Sequence, residues 1–384
     1  MDFNFLPWLY EIFASVPGGE HLWTVIAFII VLSILVFFHE LGHYMAARSV
    51  GVGIEEFSIG FGKEIKGWND KHGTRWKVCM VPLGGYVKMV GEDGNDDDKK
   101  AYKKGTAFFE KHVMQRIWVV FAGPLANFIL AFIFLSAIFM TGEKEAVPLN
   151  ETPAIVGGIQ EGMPAAEAGF EKGDKIFAVN GVLITDFQHV SDVVAKLGGK
   201  ETIFTLVRNE NYLNISLTPD VVERFNPEKL DTEKRGLIGV GPKPETRIIE
   251  HTLFGAIKQG AIKTYDYSTM IMKTVGAMIS GKVPGDSVGG PIMIADMASK
   301  SAQTGGYELF LFMAVISINL GMINLFPIPM LDGGHLVYYF VELVKGSPVS
   351  DKLQDIGQRI GLALLMLLMG FAFYNDIMRV VQNF

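Results

Sequence analysis

Four long apolar stretches dominate the hydrophobic pattern of the chain. The clearest of them, LWTVIAFIIVLSILVFF at 22–38, contains no charged residue and leads directly into a short polar group. A helix needs about 20 predominantly apolar residues to cross the hydrocarbon core of a bilayer. The pattern therefore predicts four transmembrane helices, at about 22–43, 117–140, 309–326 and 360–374.

Other segments have a different pattern. Residues 153–245 alternate short β-branched runs with glycine turns, which predicts a small mixed α/β domain. Charged residues interrupt the apolar residues of 253–279, which predicts an amphipathic helix lying on a surface. Residues 75–90 (RWKVCMVPLGGYVKMV) predict a β-hairpin that turns at Pro82-Leu83-Gly84-Gly85. The predicted boundaries are 1–140 (first membrane part), 153–245 (α/β domain), 246–308 (amphipathic helix and gate-like segment) and 309–384 (second membrane part).

Composition and charge narrow the class of protein. Hydrophobic residues make up 49% of the 384 residues and the mean hydropathy is +0.29, which is too apolar for an ordinary soluble enzyme. The net charge of −7, with no basic block, does not favour nucleic-acid binding. Cys79 is the only cysteine, which excludes an internal disulfide and a cysteine-based zinc site.

The distribution of Lys and Arg predicts the orientation in the membrane. Residues 1–21 contain neither, whereas 44–116 contain thirteen. The positive-inside rule then places the N-terminus outside and 44–116 in the cytoplasm. With four spans, 141–308 and the C-terminus are also expected outside, and 327–359 is expected to be a cytoplasmic loop. Because residues 1–21 lack basic residues, no cleavable signal peptide is predicted there.

The first span ends in His39-Glu40-Leu41-Gly42-His43. The spacing places both imidazoles on one face of a helix, one turn apart. A glutamate beside the first histidine is the usual general base of a zinc hydrolase. Ionisable residues at membrane depth are costly and mark functional sites by default. Because zinc in a hydrolase normally takes three protein ligands, one more must come from elsewhere in the chain.

The strongest candidate for the third ligand is Asp332, within NLFPIPMLDGGH at 324–335. The first and third spans both run from outside to inside, so Asp332 is expected near the same leaflet as the two histidines. Pro327 and Pro329 interrupt the helix, and broken backbone at this depth survives where it lines a wet cavity. His335 ranks second as a ligand, and an aspartate that caps a turn before Gly-Gly is the structural alternative.

These residue types predict hydrolysis of a peptide bond. Zinc would activate a water molecule, Glu40 would take the proton from that water, and the same carboxyl would later protonate the leaving amine. Asn324 is a candidate hydrogen-bond donor to the oxyanion, with an interhelical hydrogen bond as the alternative. Histidine and aspartate ligands favour zinc without excluding iron or manganese.

Several motifs in this order resemble the site-2 proteases, and most closely the bacterial RseP-type branch. The motifs are HELGH in the first span, Gly123-Pro124-Leu125-Ala126-Asn127 in the second, GMPAAEAGFEKGDKIFAVNG at 162–181, which resembles the core of bacterial PDZ domains, and NLFPIPMLDGGH after the third span. The resemblance implies a multi-pass α-helical membrane protein with four transmembrane helices. It further implies one extracytoplasmic PDZ-like α/β domain and a re-entrant β-hairpin.

The resemblance also implies an activity. His39, His43 and Asp332 would bind Zn²⁺, and Glu40 would be catalytic. The protein would be an intramembrane metalloprotease of the bacterial inner membrane, in contact with the lipid bilayer. Its substrates would be single-span membrane proteins already trimmed by another protease, such as anti-sigma factors, and remnant signal peptides.

Two segments are candidate peptide-binding surfaces. The predicted hairpin would hold substrate as an added β-strand, through Gly84, Gly85, Tyr86 and Val87. The predicted last strand of the PDZ-like domain, at 235–240, would receive a peptide end at Leu237, Ile238 and Gly239. The sequence leaves two roles open for this domain: it would capture the hydrophobic C-terminus of a substrate, or it would exclude substrates with bulky external parts.

Two other functions remain open from the sequence. One is a membrane scaffold whose PDZ-like domain binds partners beside a relict metal site. The other is a metal transporter, which predicts more polar residues in the second and fourth spans than the sequence contains. Residues 286–291 are predicted to belong to a gate, and 93–104 to be a solvated loop.

Overall fold

The computed structural model describes residues 5–91, 104–226, 231–243, 245–282 and 289–382. Residues 93–103 of the predicted solvated loop at 93–104, and residues 286–288 of the gate-like segment at 286–291, lie outside these residues. The chain forms two compact units. The first, here called the membrane unit, comprises Met1–Thr141, Thr252–Lys273 and Gly285–Phe384, and the second, the β-rich unit, comprises Gly142–His251 and Thr274–Pro284.

Helices account for most of the membrane unit. In chain order the helices of the described residues are α1 (Phe5–Ala14), α2 (Gly19–Ser49), α3 (Val113–Met140), α4 (Pro164–Glu167), α5 (Phe187–Ala195), α6 (Leu253–Ile279), α7 (Pro291–Thr304), α8 (Gly306–Leu325), α9 (Asp332–Lys345) and α10 (Asp351–Gln382). Of these, α2, α3, α8 and α10 are long and apolar enough to span a membrane.

The strands lie in both units. In chain order they are β1 (Ile54–Asn69), β2 (Arg75–Met89), β3 (Glu143–Ala146), β4 (Val156–Ile159), β5 (Lys175–Val179), β6 (Val182–Leu183), β7 (Thr202–Arg208), β8 (Asn211–Leu217), β9 (Asp220–Asn226), β10 (Asp231–Leu237), β11 (Val240–Pro242) and β12 (Thr246–Ile249).

The four span candidates coincide with the four apolar stretches of the sequence. Helix α10 is far longer than the predicted 360–374, because polar residues such as Gln354 and Gln358 continue the helix beyond the apolar part. The amphipathic segment 253–279 is a single helix, α6, and does not belong to the four span candidates found among the described residues.

The segment 327–359, between the third and fourth spans, contains a helix that the sequence pattern did not predict. Helix α9 begins at Asp332 and packs against α3. Its Leu336 is buried in a core with Val119 and Val120 of α3, and the Glu342 carboxylate pairs with the Arg116 guanidinium. These contacts join residues that are distant in sequence, which is why the local pattern did not reveal the helix.

The predicted hairpin within 75–90 is also wrong. This segment forms one strand, β2, which pairs antiparallel with β1 around a turn at 70–74. The chain bends near the predicted turn, where Gly84 has a φ of 104°, but the two halves of β2 lie against β1 and not against each other. Residues 56–59 of β1 lie opposite both 75–78 and 85–88. An alternating pattern identifies a strand without identifying its partner.

Asp70 fixes the turn between β1 and β2 and connects it to α2. Its carboxylate accepts hydrogen bonds from the Tyr44 hydroxyl at 2.8 Å, the Trp76 indole N–H at 3.1 Å, and the backbone N–H groups of His72 and Thr74. Burial opposes ionisation, but these four bonds lower the pKa of Asp70 to about 2. The β1–β2 sheet is thereby held against the helix that carries the histidine pair.

The β-rich unit contains a four-stranded sheet in the order β6-β5-β7-β8, with α5 packed over its core. Asp174 is almost fully buried at the start of β5 and accepts two hydrogen bonds from the Arg208 guanidinium, at 2.7 and 2.8 Å. Burial raises the pKa of Asp174, but the bonds from Arg208 outweigh it and hold the pKa below its usual value. The predicted range 153–245 lies within this unit.

The segment 235–240 is not one strand, which corrects the expectation for the end of this domain. Strand β10 ends at Leu237 and pairs with β9, whereas β11 begins at Val240 and pairs with β4. Gly239 between them has a φ of 80°, a left-handed conformation that interrupts an extended chain.

Candidate metal centre

Helix α2 brings the two histidines of the HELGH motif together. Because His39 and His43 are one turn apart, their side chains lie on the same helix face. Each is only 8% exposed, and their Nε2 atoms are 3.2 Å apart. Two buried imidazoles therefore present their Nε2 atoms to one point in the membrane unit.

The loop after α8 brings Asp332 to the same point. Its Oδ2 lies 3.2 Å from His39 Nε2, and its Oδ1 lies 3.5 Å from His43 Nε2. The loop is tight: a Cβ added to Gly333 would lie 2.2 Å from the carbonyl oxygen of Phe326. The Gly-Gly pair thus allows α9 to begin at Asp332, against the end of α8.

These three side chains fit a zinc ion. Ligand atoms about 2.0–2.1 Å from a tetrahedral zinc lie roughly 3.3–3.4 Å from one another. The two Nε2 atoms are 3.2 Å apart, Asp332 Oδ2 is 3.2 Å from His39 Nε2, and one ligand atom from each of the three residues lies within 4.8 Å of the other two. Asp332 Oδ2 is buried and has no hydrogen-bond partner among the described residues. Such an atom is costly unless a cation satisfies it. In the described part of the chain, these residues form the one group of at least three side chains arranged to hold a metal.

Helix α3 supports His43 in two ways. His43 Nδ1 lies 2.9 Å from the carbonyl oxygen of Val119, to which it donates a hydrogen bond as Nδ1–H. One turn further along, Gly123 leaves room for the ring, because an added Cβ would lie 2.2 Å from His43 Nε2. Nothing in the sequence pattern assigned Val119 or Gly123 to the metal centre.

His39 contacts the next residue of the same stripe of α3. Asn127 is fully buried, and its amide nitrogen lies 3.0 Å from His39 Nδ1. Residues 119, 123 and 127 are successively one turn apart, so they share one face of α3. One feature of the sequence could have indicated this contact: Gly123 and Asn127 are four residues apart, as the two histidines are.

A cavity of about 740 Å³ opens beside the three candidate ligands. Glu40 and Asn324, the predicted catalytic residues, both line it, and so does His335. His335 is not part of the three-residue metal group, which favours Asp332 as the third ligand. The cavity can thus hold a substrate between the possible metal position and two polar side chains.

The predicted substrate-binding strand borders this cavity. Tyr86 and Val87 line it, and a Cβ added to Gly85 would lie 3.6 Å from Glu40 Cγ. Gly84 lies next to Phe61 instead, since a Cβ there would approach the Phe61 ring to 2.6 Å. The segment 85–87 therefore passes directly beside the glutamate, with Gly84 at its edge.

The β-rich unit has a separate cavity of about 580 Å³ between β4 and the segment that joins β10 to β11. Leu237 and Gly239, two of the three predicted peptide-binding residues, line it. Ile238 does not, because its side chain is buried in the core of the unit.

Comparison with known proteins places the chain in a family. The model of peptidase family M50 matches residues 27–368. A protein of Brucella suis named "Putative zinc metalloprotease" is 40% identical over 383 residues, which cover 96% of this chain and 99% of that protein. The metalloprotease MmpA of Caulobacter vibrioides is 35% identical over 387 residues, which cover 92% of this chain and 95% of that protein.

A solved structure resembles part of the chain. It is the PDZ domain of an SdrC-like protein from Listeria innocua, which is 18% identical, covers 23% of this chain and 92% of that chain, and has a TM-score of 0.19. The family match and the curated relatives, by contrast, extend over nearly the whole chain. This chain therefore belongs to peptidase family M50, the site-2 proteases, and is a zinc metalloprotease.

Proposed function

We propose that this metalloprotease hydrolyses peptide bonds within the transmembrane segments of other membrane proteins. The observation that carries the proposal is the position of its candidate metal centre. His39, His43 and Glu40 all belong to α2, one of the four span candidates, and Asp332 begins α9 directly beside them. A hydrolytic site built on a spanning helix can act on bonds that lie at membrane depth.

The residues of the cavity have distinct roles in this proposal. His39, His43 and Asp332 hold the zinc ion, which when bound activates water and polarises a carbonyl group. Glu40 takes the proton from the attacking water and later delivers it to the amine of the leaving product. Asn324, on the wall of the same cavity, donates a hydrogen bond to the oxygen of the attacked carbonyl as its negative charge develops.

The strand segment 85–87 presents the substrate. A peptide bond inside a helix is shielded by the helical hydrogen bonds, so the substrate must be extended before it is cut. An extended chain can add to an open strand edge by backbone hydrogen bonding. Residues 85–87 pair with β1, and Tyr86 and Val87 line the cavity that Glu40 also lines. The β1–β2 sheet would enter the membrane beside α2 for this purpose.

The orientation follows from the distribution of basic residues. The excess of Lys and Arg between α2 and α3 supports a position of that region, and of the metal centre near it, at the cytoplasmic side of a bacterial inner membrane. The β-rich unit then lies outside. Its cavity at Leu237 and Gly239 would receive the C-terminus of a single-span protein already trimmed by another protease, such as an anti-sigma factor or a remnant signal peptide.

The test is cleavage of a single-span model substrate in liposomes by the wild type and by Glu40→Gln. Loss of the base is expected to reduce cleavage by at least about 100-fold, because general acid–base catalysis contributes 10²- to 10⁴-fold. Glu20→Gln is the matched control, since Glu20 lies in the first turn of the same helix and is exposed.

Mass spectrometry of the products locates the cut. The expected cut lies within the apolar segment of the substrate, and Glu20→Gln is expected to cleave as the wild type does. Equal cleavage by wild type and Glu40→Gln would contradict the catalytic role. A cut confined to the soluble flanks of the substrate would contradict intramembrane proteolysis.

A further inference from the structure

We infer that Asn127 is a positioning residue for the metal centre, whose amide oxygen accepts a hydrogen bond from His39 Nδ1–H when His39 Nε2 binds zinc. The inference rests on the proposed role of His39 as a ligand and adds a residue of a different helix to the site. Asn127 lies on α3, and His39 lies on α2.

The surroundings of Asn127 require an explanation. The residue is fully buried in a span candidate, where an amide is costly unless both of its ends are bonded. Its Nδ2 lies 3.0 Å from His39 Nδ1, but its Oδ1 is buried and has no hydrogen-bond partner among the described residues. An unsatisfied buried carbonyl costs about 1–3 kcal/mol.

The position of the proton on the His39 imidazole explains the unpaired oxygen of Asn127. A neutral imidazole carries one N–H group and one lone pair, on opposite nitrogens. When the lone pair of Nε2 binds a metal, Nδ1 must carry the proton and requires an acceptor. The amide nitrogen of Asn127 cannot accept, whereas its oxygen can. A half-turn of the amide about its last torsion exchanges the two atoms and places Oδ1 against Nδ1–H.

The amide can therefore serve both forms of the site. With Nδ2 turned to His39, it donates to a bare Nδ1, and Nε2–H faces the Asp332 carboxylate 3.2 Å away. With Oδ1 turned to His39, it supports the metal-binding tautomer. His43 lacks this choice, because its Nδ1 faces the Val119 carbonyl oxygen, which can only accept. Asn127 is thus the adjustable support of the pair.

The backbone holds Asn127 in place for this role. Its carbonyl oxygen accepts a hydrogen bond from the Ser317 hydroxyl at 2.8 Å, which joins α3 to α8. A Cβ added to Gly321 of α8 would lie 3.3 Å from Asn127 Cβ, so the two helices are in close contact at this level. Because the backbone and Cβ of Asn127 are fixed, the rotation of its amide group is the main freedom that its side chain keeps.

Zinc affinity of the purified full chain, measured by competition with a chromophoric chelator, tests the inference. Asn127→Leu keeps the approximate volume and removes the acceptor, so zinc affinity is expected to fall about 10- to 100-fold. Asn127→Asp restores an acceptor and is expected to bind zinc at least as tightly as the wild type. Ser136→Ala, which removes another buried polar side chain of α3, nine residues beyond Asn127, is expected to leave the affinity unchanged.

The visible spectrum of the Co²⁺-loaded protein gives a second readout, because its ligand-field bands report the arrangement of the ligands. Asn127→Leu is expected to change these bands, and Asn127→Asp to retain them. Wild-type zinc affinity in Asn127→Leu, or equal losses in the leucine and aspartate variants, would overturn the positioning role. His39→Ala distinguishes a failure of the proposed metal site from a failure of the positioning role. Undiminished zinc affinity in that variant would refute the metal site itself, and the positioning role with it.

Discussion

Replacement of Gly123 by alanine tests the geometry of the metal centre at a single atom. Gly123 lies in α3, opposite the imidazole of His43. The added Cβ would lie 2.2 Å from His43 Nε2, 2.4 Å from Cε1 and 2.8 Å from Cδ2. The ring cannot keep its place beside such a methyl group.

The size of the effect follows from these distances. Non-bonded carbon and nitrogen atoms approach to about 3.5 Å, so the ring must move by about 1 Å. Metal–ligand distances tolerate deviations of about 0.2 Å, and His43 would therefore be lost as a ligand. A four-ligand zinc site is worth about 10–16 kcal/mol, so one ligand contributes roughly 3 kcal/mol. That value corresponds to a decrease in zinc affinity of about 100-fold.

The assay is the zinc content and zinc affinity of the purified full chain, with thermal unfolding as a check that the variant folds. Gly370→Ala is the matched control. Gly370 also lies in a span candidate, α10, but an added Cβ there meets nothing within 4 Å. Both variants gain the same helix preference of alanine over glycine, so a difference between them reports the contact with His43.

We expect Gly370→Ala to bind zinc as the wild type does. A Gly123→Ala protein that binds one zinc ion with unchanged affinity would refute the assignment of His43 Nε2 as a ligand in the position described. An equal loss in both variants would show that the effect comes from altering a membrane helix and not from displacing the ring.

Two further predictions concern the β-rich unit and the substrate strand. Arg208→Met removes two hydrogen bonds from buried Asp174 and is expected to lower the free energy of unfolding of that unit at pH 7, as hydrogen exchange in urea would measure. The pKa of Asp174 in the folded protein lies below its unfolded value of about 4. The difference in unfolding free energy between wild type and variant is therefore complete above that pH and disappears as the pH falls through the folded pKa. A difference in unfolding free energy that does not shrink at low pH would contradict the ion pair. Tyr86→Pro and Val87→Pro each remove one backbone N–H. Because adjacent N–H groups point to opposite edges of a strand, one of the two variants loses an N–H at the edge where a substrate strand would add. We expect both variants to bind zinc and at least one to lose about tenfold or more of its cleavage; full cleavage by both would contradict strand addition.

The chemistry of the centre could be predicted from the sequence because it depends on local spacing and on the cost of polar groups in an apolar setting. Two histidines four residues apart share a helix face whatever surrounds them. The distribution of Lys and Arg predicted that Asp332 would lie at the same leaflet, and the structure brings its carboxylate within 3.5 Å of both imidazoles. Which of these residues bind zinc remains a prediction that the variants above can test.

Strand partners and the supports of the ligands could not be predicted in this way. The alternation in β2 was visible, but its pairing with β1 depends on the turn at Asp70 and on packing against α2. Gly123 and Asn127 were visible as part of a motif in the second span, but nothing local shows which side chain of another helix they face. Helix α9 was hidden for the same reason, since α3 supplies its packing partners.

The sequence by itself determined the four apolar helices, the HELGH pair and the polar segment at Asp332, since periodicity and residue chemistry are properties of contiguous chain. Only the tertiary structure decided that Gly123 gives His43 its space and that Asn127 faces His39. Those contacts join residues about 80 to 90 positions apart, and they exist because α2 and α3 pack closely enough for side chains to meet backbone.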